Sequence, residues 1–168
     1  SALKNYLYSL LLNSLKEFHR KNSINAQIHE WLEEIDVLYK KGLYSQAMKI
    51  SRKAAKLAGH HEKFHLLAEL ARWEEELLHM MEDIKALDEY VVDGFNKEFE
   101  NIGQLKNYRE IRQMCIRFFS IIRKDMTLRT PEQKAAVSAL LDNPLFRDVE
   151  NALSVKAKNQ FYLSLIHI

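Results

Sequence analysis

Apolar residues recur every three to four positions along most of the chain, and strict alternation of apolar and polar residues does not occur. This spacing predicts helices and argues against strands. The predicted helices span residues 3–20, 24–41, 44–58, 61–81, 83–100, 104–123, 131–141 and 148–168. The pattern therefore predicts an all-α protein of about eight helices joined by short turns.

Local signals predict where several of these helices begin and end. Gly42 and Gly59 are expected to end the second and third helices, since glycine suits the left-handed position after a helix. Gly94 and the stretch 101–103 are expected to interrupt the helical pattern. The string Thr130-Pro131-Glu132-Gln133 combines a capping hydroxyl, a proline suited to the first turn and a glutamine that completes a capping box.

Composition narrows the class of protein. The 168 residues include 4 glycines and 2 prolines, too few for the many turns of a β-sandwich or barrel. The single cysteine, Cys115, excludes an intramolecular disulfide and a cysteine-rich zinc module. The longest apolar run, at 10–12, is too short to cross a bilayer. We predict one cytoplasmic domain over residues 1–168, without membrane association.

The net charge of +2 is unevenly distributed: +5 over residues 1–60, −8 over 61–103 and +5 over 104–168. We expect these charges to pair internally when the helices stack, although a charged patch could instead face a partner. The third predicted helix carries a basic ridge, which the acidic run 74–76 could meet; the ridge consists of Lys49, Arg52, Lys53 and Lys56. No aromatic residues interleave with the ridge, so nucleic acid is not a predicted partner.

The string His61-Glu62-Lys63-Phe64-His65 matches the H-E-x-x-H pattern of zinc peptidases. On a helix, its two imidazoles would lie one turn apart with Glu62 beside them as a general base. Lys63 is charged, however, the string begins a predicted helix, and a third ligand is missing in its expected forms. We therefore predict no cofactor and no catalytic residue. A helical zinc enzyme that uses His61, Glu62 and His65 is an alternative hypothesis.

The segment 28–59 resembles a tetratricopeptide repeat (TPR), a helical hairpin of about 34 residues. The matching positions are Trp31, Leu38, Gly42, Tyr44, Ala47 and Ala54, whereas Glu34, Ile35, Ser51 and Gly59 depart from the family pattern. Segment 148–168 resembles the first helix of a further, incomplete unit. The chain as a whole also resembles bacterial TPR-like proteins of unknown function, in the stretches YLYSLLLNSLKEFH, LYKKGLYSQAMK and ENALSVKAK.

The resemblance implies an α-solenoid of stacked antiparallel hairpins that acts as a non-catalytic scaffold and binds a peptide or partner helix in a groove. The groove would lie on the exposed side of the second helix. Because the register is open by one residue, the expected groove residues are either His29, Asp36, Tyr39 and Lys40, or Glu30, Glu33, Lys40 and Lys41. A second alternative is a structural oligomerisation module, in which apolar surface on the terminal helices, notably 161–168, is buried between copies.

Overall fold

The computed structural model describes residues 2–125 and 130–165. Over these ranges the chain is helical and contains no strand, which confirms the predicted all-α class. The helices are α1 (Ala2–Asn22), α2 (Ile24–Lys40), α3 (Tyr44–His60), α4 (Phe64–Met80), α5 (Ile84–Glu89), α6 (Phe95–Asp125), α7 (Pro131–Leu141), α8 (Pro144–Arg147) and α9 (Val155–Leu165). A π-helical segment (Tyr90–Gly94) follows α5, and a 3₁₀ turn (Val149–Asn151) follows α8.

The chain divides into two compact units, Ser1–Phe95 and Asn96–Ile168. Each has a hydrophobic core of its own within the described residues. The stacking of hairpins into one solenoid domain over residues 1–168 stays a prediction.

Three successive helices of the first unit share one length and one type of turn. Each of α2, α3 and α4 has 17 residues. Together with α5, they begin at a constant interval, at Ile24, Tyr44, Phe64 and Ile84. The middle residue of each intervening turn has a positive φ, namely 71° at Gly42, 49° at Glu62 and 54° at Glu82. Two such helices with their turns therefore form a longer repeat than the roughly 34 residues of a TPR unit.

The first two of these turns end their helices with the same backbone hydrogen bond. The N–H of Leu43 donates to the carbonyl of Leu38 at 2.9 Å, and the N–H of Lys63 donates to the carbonyl of Ala58 at 2.8 Å. A bond of this span is the mark of a Schellman motif, which satisfies the last carbonyls of a helix. The predicted end of the third helix at Gly59 is wrong, because the left-handed position falls on Glu62 and α3 continues through His60.

The core of the first unit is formed by α2, α3, α4 and Tyr90. Its buried members are Ile28, Leu32, Ile35, Ala47, Met48, Ala54, Ala58, Leu66, Leu70, Leu77, Leu78 and Tyr90. Three of the four alanines of α3, Ala47, Ala54 and Ala58, have no exposed surface, and such small side chains let neighbouring helices approach closely. Trp31 and Trp73 are half-buried and pack against this core.

Helix α1 stays outside this core. It is joined to α2 by Ser23, whose backbone is extended (φ −107°, ψ 119°) and whose hydroxyl accepts a hydrogen bond from the N–H of Ala26. A one-residue link is shorter than the two to five residues that join helices in an αα-hairpin. In the part of the chain that the structure describes, α1 supplies no side chain to the core.

The chain stays helical at both positions where the sequence predicts an interruption. At Gly94 the backbone widens into the π-helical segment and continues as α6. A Cβ on Gly94 would overlap the ring of Tyr90, so glycine makes room for that ring. The Tyr90 hydroxyl donates to the carbonyl of Ala71 at 2.9 Å. The predicted break at 101–103 is wrong: Gly103 lies within α6, where a glycine costs only about 1 kcal/mol relative to alanine.

The second unit has its core between α6, α9 and the segment before α9. The buried members are Ile111, Cys115, Ala152, Ala157 and Phe161. The buried side chain of Asn107 donates to the carbonyl of Asn151 at 2.9 Å and accepts from the N–H of Leu153 at 2.9 Å. These bonds satisfy the backbone of a non-helical stretch, so the last helix begins at Val155 and not at 148 as predicted. Of the predicted segment 161–168, Phe161 is buried in this core, and residues 166–168 lie outside the described ranges.

The capping box that the sequence predicts at α7 is confirmed. The N–H of Gln133 donates to the Thr130 hydroxyl, and the Gln133 side chain accepts from the N–H of Thr130, both at 3.2 Å. Hydrogen bonds from its own backbone N–H and from the Thr130 hydroxyl lower the pKa of the Glu132 carboxyl. The local pattern is therefore enough to place the start of this helix.

We expect Gly42→Ala and Glu82→Gly to change stability in opposite directions. The left-handed conformation costs an L-residue about 1–2 kcal/mol, but costs glycine little. Urea denaturation should show the free energy of unfolding lowered by about 1 kcal/mol in Gly42→Ala and raised by up to about 1 kcal/mol in Glu82→Gly. Changes of the same sign in both variants would contradict the equivalence of the two turns.

We also expect Gly94→Ala and Gly59→Ala to differ in sign. A methyl group at 94 would overlap the ring of Tyr90, and overpacking of this kind costs about 1–3 kcal/mol. A methyl group at 59 meets open space on α3, where alanine is favoured over glycine by up to about 1 kcal/mol. Thermal melts should therefore move down for Gly94→Ala and up for Gly59→Ala. An unchanged melt for Gly94→Ala would mean that the Tyr90 ring can move away at no cost.

Candidate functional site

Three of the four groove residues of the first register, and Glu33 of the second, share one stripe along α2, here called the α2 stripe: His29, Glu33, Asp36 and Lys40. Their spacing of three and four places them on one side of the helix. The side chain of Asp36 is half-exposed and the other three are exposed. The Lys40 ammonium forms an ion pair with the Asp36 carboxylate one turn earlier. Glu30 and Lys41, which belong to the other register, are also exposed.

The remaining residue of the first register, Tyr39, is half-buried and forms an aromatic cluster with Tyr44 and Trp73. Its ring centroid lies 5.5 Å from that of Tyr44 and 5.5 Å from that of Trp73, with interplanar angles of 60° and 67°. Edge-to-face pairs at this distance are favourable. Because Trp73 belongs to α4, the second contact joins α2 to α4.

The sequence pattern indicates no site role for Tyr44 and Trp73, which contact Tyr39, or for Arg72, which lies near the Trp73 ring. The Arg72 guanidinium lies 5.0 Å from the centroid of the Trp73 ring, within range of a cation–π interaction. The constant interval between the helix starts indicates a repeated hairpin, in which α4 follows α2 by one repeat. The interval predicts that α2 and α4 lie side by side, but it does not identify the residues that contact each other.

The basic ridge and the acidic run do meet inside the first unit, as predicted. Arg52 Nε of α3 lies 3.1 Å from a carboxylate oxygen of Glu74 on α4. Lys53 Nζ lies 4.5 Å from the centroid of the Trp31 ring on α2. The two basic side chains are largely exposed, so each contact adds at most about 1 kcal/mol. The ridge thus has contacts with both neighbouring helices.

The H-E-x-x-H string spans a turn. α4 begins at Phe64, not near His61, so the expectation that the string begins a helix is corrected. His61 follows the end of α3, Glu62 takes the left-handed position, and His65 lies in the first turn of α4. The two imidazoles therefore do not lie one turn apart on one helix. Among residues 2–125 and 130–165, no group of three or more His, Cys, Asp and Glu side chains could hold a metal ion.

An apolar cleft of about 390 Å³ lies between α6 and α7 in the second unit. It is lined by Ile116, Arg117, Ser120, Ile121, Ala136 and Leu140. Four of these six residues are exposed, so the cleft is an open depression in the surface. Ligand sites usually bury most of a small molecule, and this cleft does not offer that enclosure.

Comparisons of the chain with protein-family models, with curated proteins and with solved structures find no match. Within the described ranges, no helix combines the length and the apolar character needed to cross a membrane. A function must therefore be inferred from the residues of this chain alone.

We expect protein purified without a histidine tag to contain no stoichiometric zinc. The reason is geometric: His61 and His65 sit on either side of a turn, where they cannot chelate as an i, i+4 pair of one helix. Elemental analysis should give well under one zinc per chain, and thermal melts should not change when a chelator is added. About one zinc per chain with a chelator-sensitive melt would contradict this expectation and restore the zinc-enzyme hypothesis.

Proposed function

We propose that this protein is a non-catalytic interaction module of the cytoplasm, which binds a peptide or partner helix along the α2 stripe and the adjoining aromatic cluster. The observation that carries the proposal is the contact between Tyr39 and Trp73, which places half-buried aromatic rings beside an exposed charged stripe. Tyrosine, tryptophan and arginine are the residues most enriched among binding hot spots. The TPR-like resemblance points to the same helix.

The chemistry of the surface defines the partner that it would suit. The rings of Tyr39 and Trp73 offer an apolar anchor that is already held in place by neighbouring side chains, so little side-chain entropy is lost on binding. Lys40 offers a cation at one end of the stripe, and Asp36 occupies it in the free protein. An extended peptide with an apolar side chain near an acidic residue fits this arrangement, because its carboxylate would compete with Asp36 for Lys40.

The proposal is tested by selecting binders from a library of random displayed peptides and mapping one of them by NMR. Selected peptides should combine an acidic residue with an apolar or aromatic one, and the backbone amide signals of α2 and α4 should shift on titration. Signals that shift only in the second unit, or a selection that yields no binder, would count against the α2 stripe as the site.

We expect Lys40→Glu to weaken such a peptide roughly five- to tenfold. An exposed charge pair contributes about 0.2–1 kcal/mol, and reversal replaces attraction by repulsion. Asp36→Asn should have the opposite effect and strengthen binding, because it removes the internal competitor for Lys40. Lys49→Glu, the same reversal at an exposed position of α3, is the matched control. Isothermal titration measures all three, and equal affinities in wild type and Lys40→Glu would remove Lys40 from the site.

A further inference from the structure

Helix α1 presents nine large apolar side chains, each at least 37% exposed: Leu3, Tyr6, Leu7, Tyr8, Leu10, Leu11, Leu12, Leu15 and Phe18. Six of them follow a helical spacing and form a band along the helix, here called the α1 stripe: Leu3, Tyr6, Leu7, Leu10, Leu11 and Phe18. Isolated exposed apolar residues are ordinary, but a contiguous band marks an interaction surface.

A narrow strip on the other side of α1 is polar, and the exposed side chains of Tyr8 and Leu12 border it. Asn5, Ser9 and Asn13 follow one another at a spacing of four and are exposed. The hydroxyl of Ser9 donates to the carbonyl of Asn5 at 2.9 Å, within the same helix. This helix therefore has one side suited to water and a broad side suited to an apolar neighbour.

The helices α2, α3 and α4 do not offer α1 a matching surface. In α2, α3, α4 and their turns, the described large apolar residues that are exposed are Val37, Leu43, Met80 and Met81. They are few, and the core of these helices is complete without any side chain from the described part of α1. The one-residue link at Ser23 is also too short to form a hairpin with α2.

The exposed area is of the size that a stable interface needs. The two aromatic members of the stripe, Tyr6 and Phe18, expose about two-thirds of their surface, which corresponds to roughly 300 Å². Its four leucines are 49–67% exposed and add on the order of 400 Å². The total of roughly 700 Å² is close to the roughly 800 Å² that each partner buries in a standard protein–protein interface.

We propose that α1 is a self-association helix, and that its stripe is covered by α1 of a second copy of this chain. A two-fold symmetric contact brings the same patch of both subunits together, so a continuous apolar stripe meets a surface of equal length and character. The proposal does not rest on peptide binding, because the α1 stripe and the α2 stripe share no residue.

The test is the mass of the intact chain in solution, measured by light scattering after size exclusion over a range of concentrations. The wild type should give twice the chain mass of 19.8 kDa. The double variant Leu7→Glu/Leu11→Glu should give 19.8 kDa, because it places two charges in the contact. Asn5→Glu, which introduces the same side chain on the side of α1 opposite the stripe, should keep the mass of the wild type.

Circular dichroism is expected to show unchanged helix content in the double variant, since neither leucine is part of the core. Peptide binding at the α2 stripe, measured on the same proteins, should be equal in monomer and dimer, so that failure of one proposal is separable from failure of the other.

Three outcomes would overturn the proposal. They are a wild-type mass of 19.8 kDa at every concentration, a dimer that survives Leu7→Glu/Leu11→Glu, and a dimer that Asn5→Glu disrupts equally. If the wild type is monomeric and floats with vesicles of phosphatidylcholine and phosphatidylserine, and the double variant does not, the α1 stripe binds a bilayer surface and not a second copy.

Discussion

The packing of the helices in the first unit depends on a short turn whose middle residue has a left-handed backbone conformation. At Gly42 and Glu62 this conformation lets the next N–H reach back to the preceding helix while the chain reverses, and Glu82 adopts the same conformation. Because the turn recurs at a constant interval, α2, α3 and α4 have equal length and pack in sequence around the small residues of α3. The aromatic contact between α2 and α4 follows from this spacing, as does the ion pair between α3 and α4. Only one of the three left-handed positions is glycine, so the fold accepts backbone strain at the other two.

Helix α1 shows what happens where that turn is missing. Its junction with α2 is a single extended serine, and its apolar residues stay outside the core although their spacing is as regular as that of α2. The amphipathic pattern alone does not distinguish a helix that packs on its own chain from one that packs elsewhere. The distinction lies in the junction, since a helix can cover its neighbour only if the link allows the chain to reverse.

Much of the secondary structure could be predicted from the sequence, because helix ends are set by neighbouring residues. The box at Thr130 and Gln133 places the start of α7, and Gly42 places the end of α2. Several predictions failed where the deciding contact is distant in sequence. Asn107 holds the segment before α9 in a non-helical conformation from 44 residues away, and the Tyr90 ring that requires Gly94 is held by the carbonyl of Ala71 on α4. The end of α3 failed for a local reason, because Glu62 and not Gly59 takes the left-handed position. The same holds for the candidate site. The residues of the α2 stripe could be predicted because they recur at helical spacing, whereas the contact of Tyr39 with Trp73 depends on how α2 packs against α4.

The charges of the first unit can be interpreted through the same packing. The basic ridge of α3 contacts the helices on both sides. Arg52 forms an ion pair with Glu74 of α4, and Lys53 lies over the ring of Trp31 of α2. These contacts leave the ridge less free to recruit an acidic partner, whereas the ion pair of Lys40 lies within its own helix. An ion pair between residues one turn apart is weak and exposed, so an incoming carboxylate can replace Asp36 at little cost. Two copies joined through α1 would present two such sites at once, and a partner with two suitable segments would then bind more tightly than either segment alone, because the second contact forms within one complex.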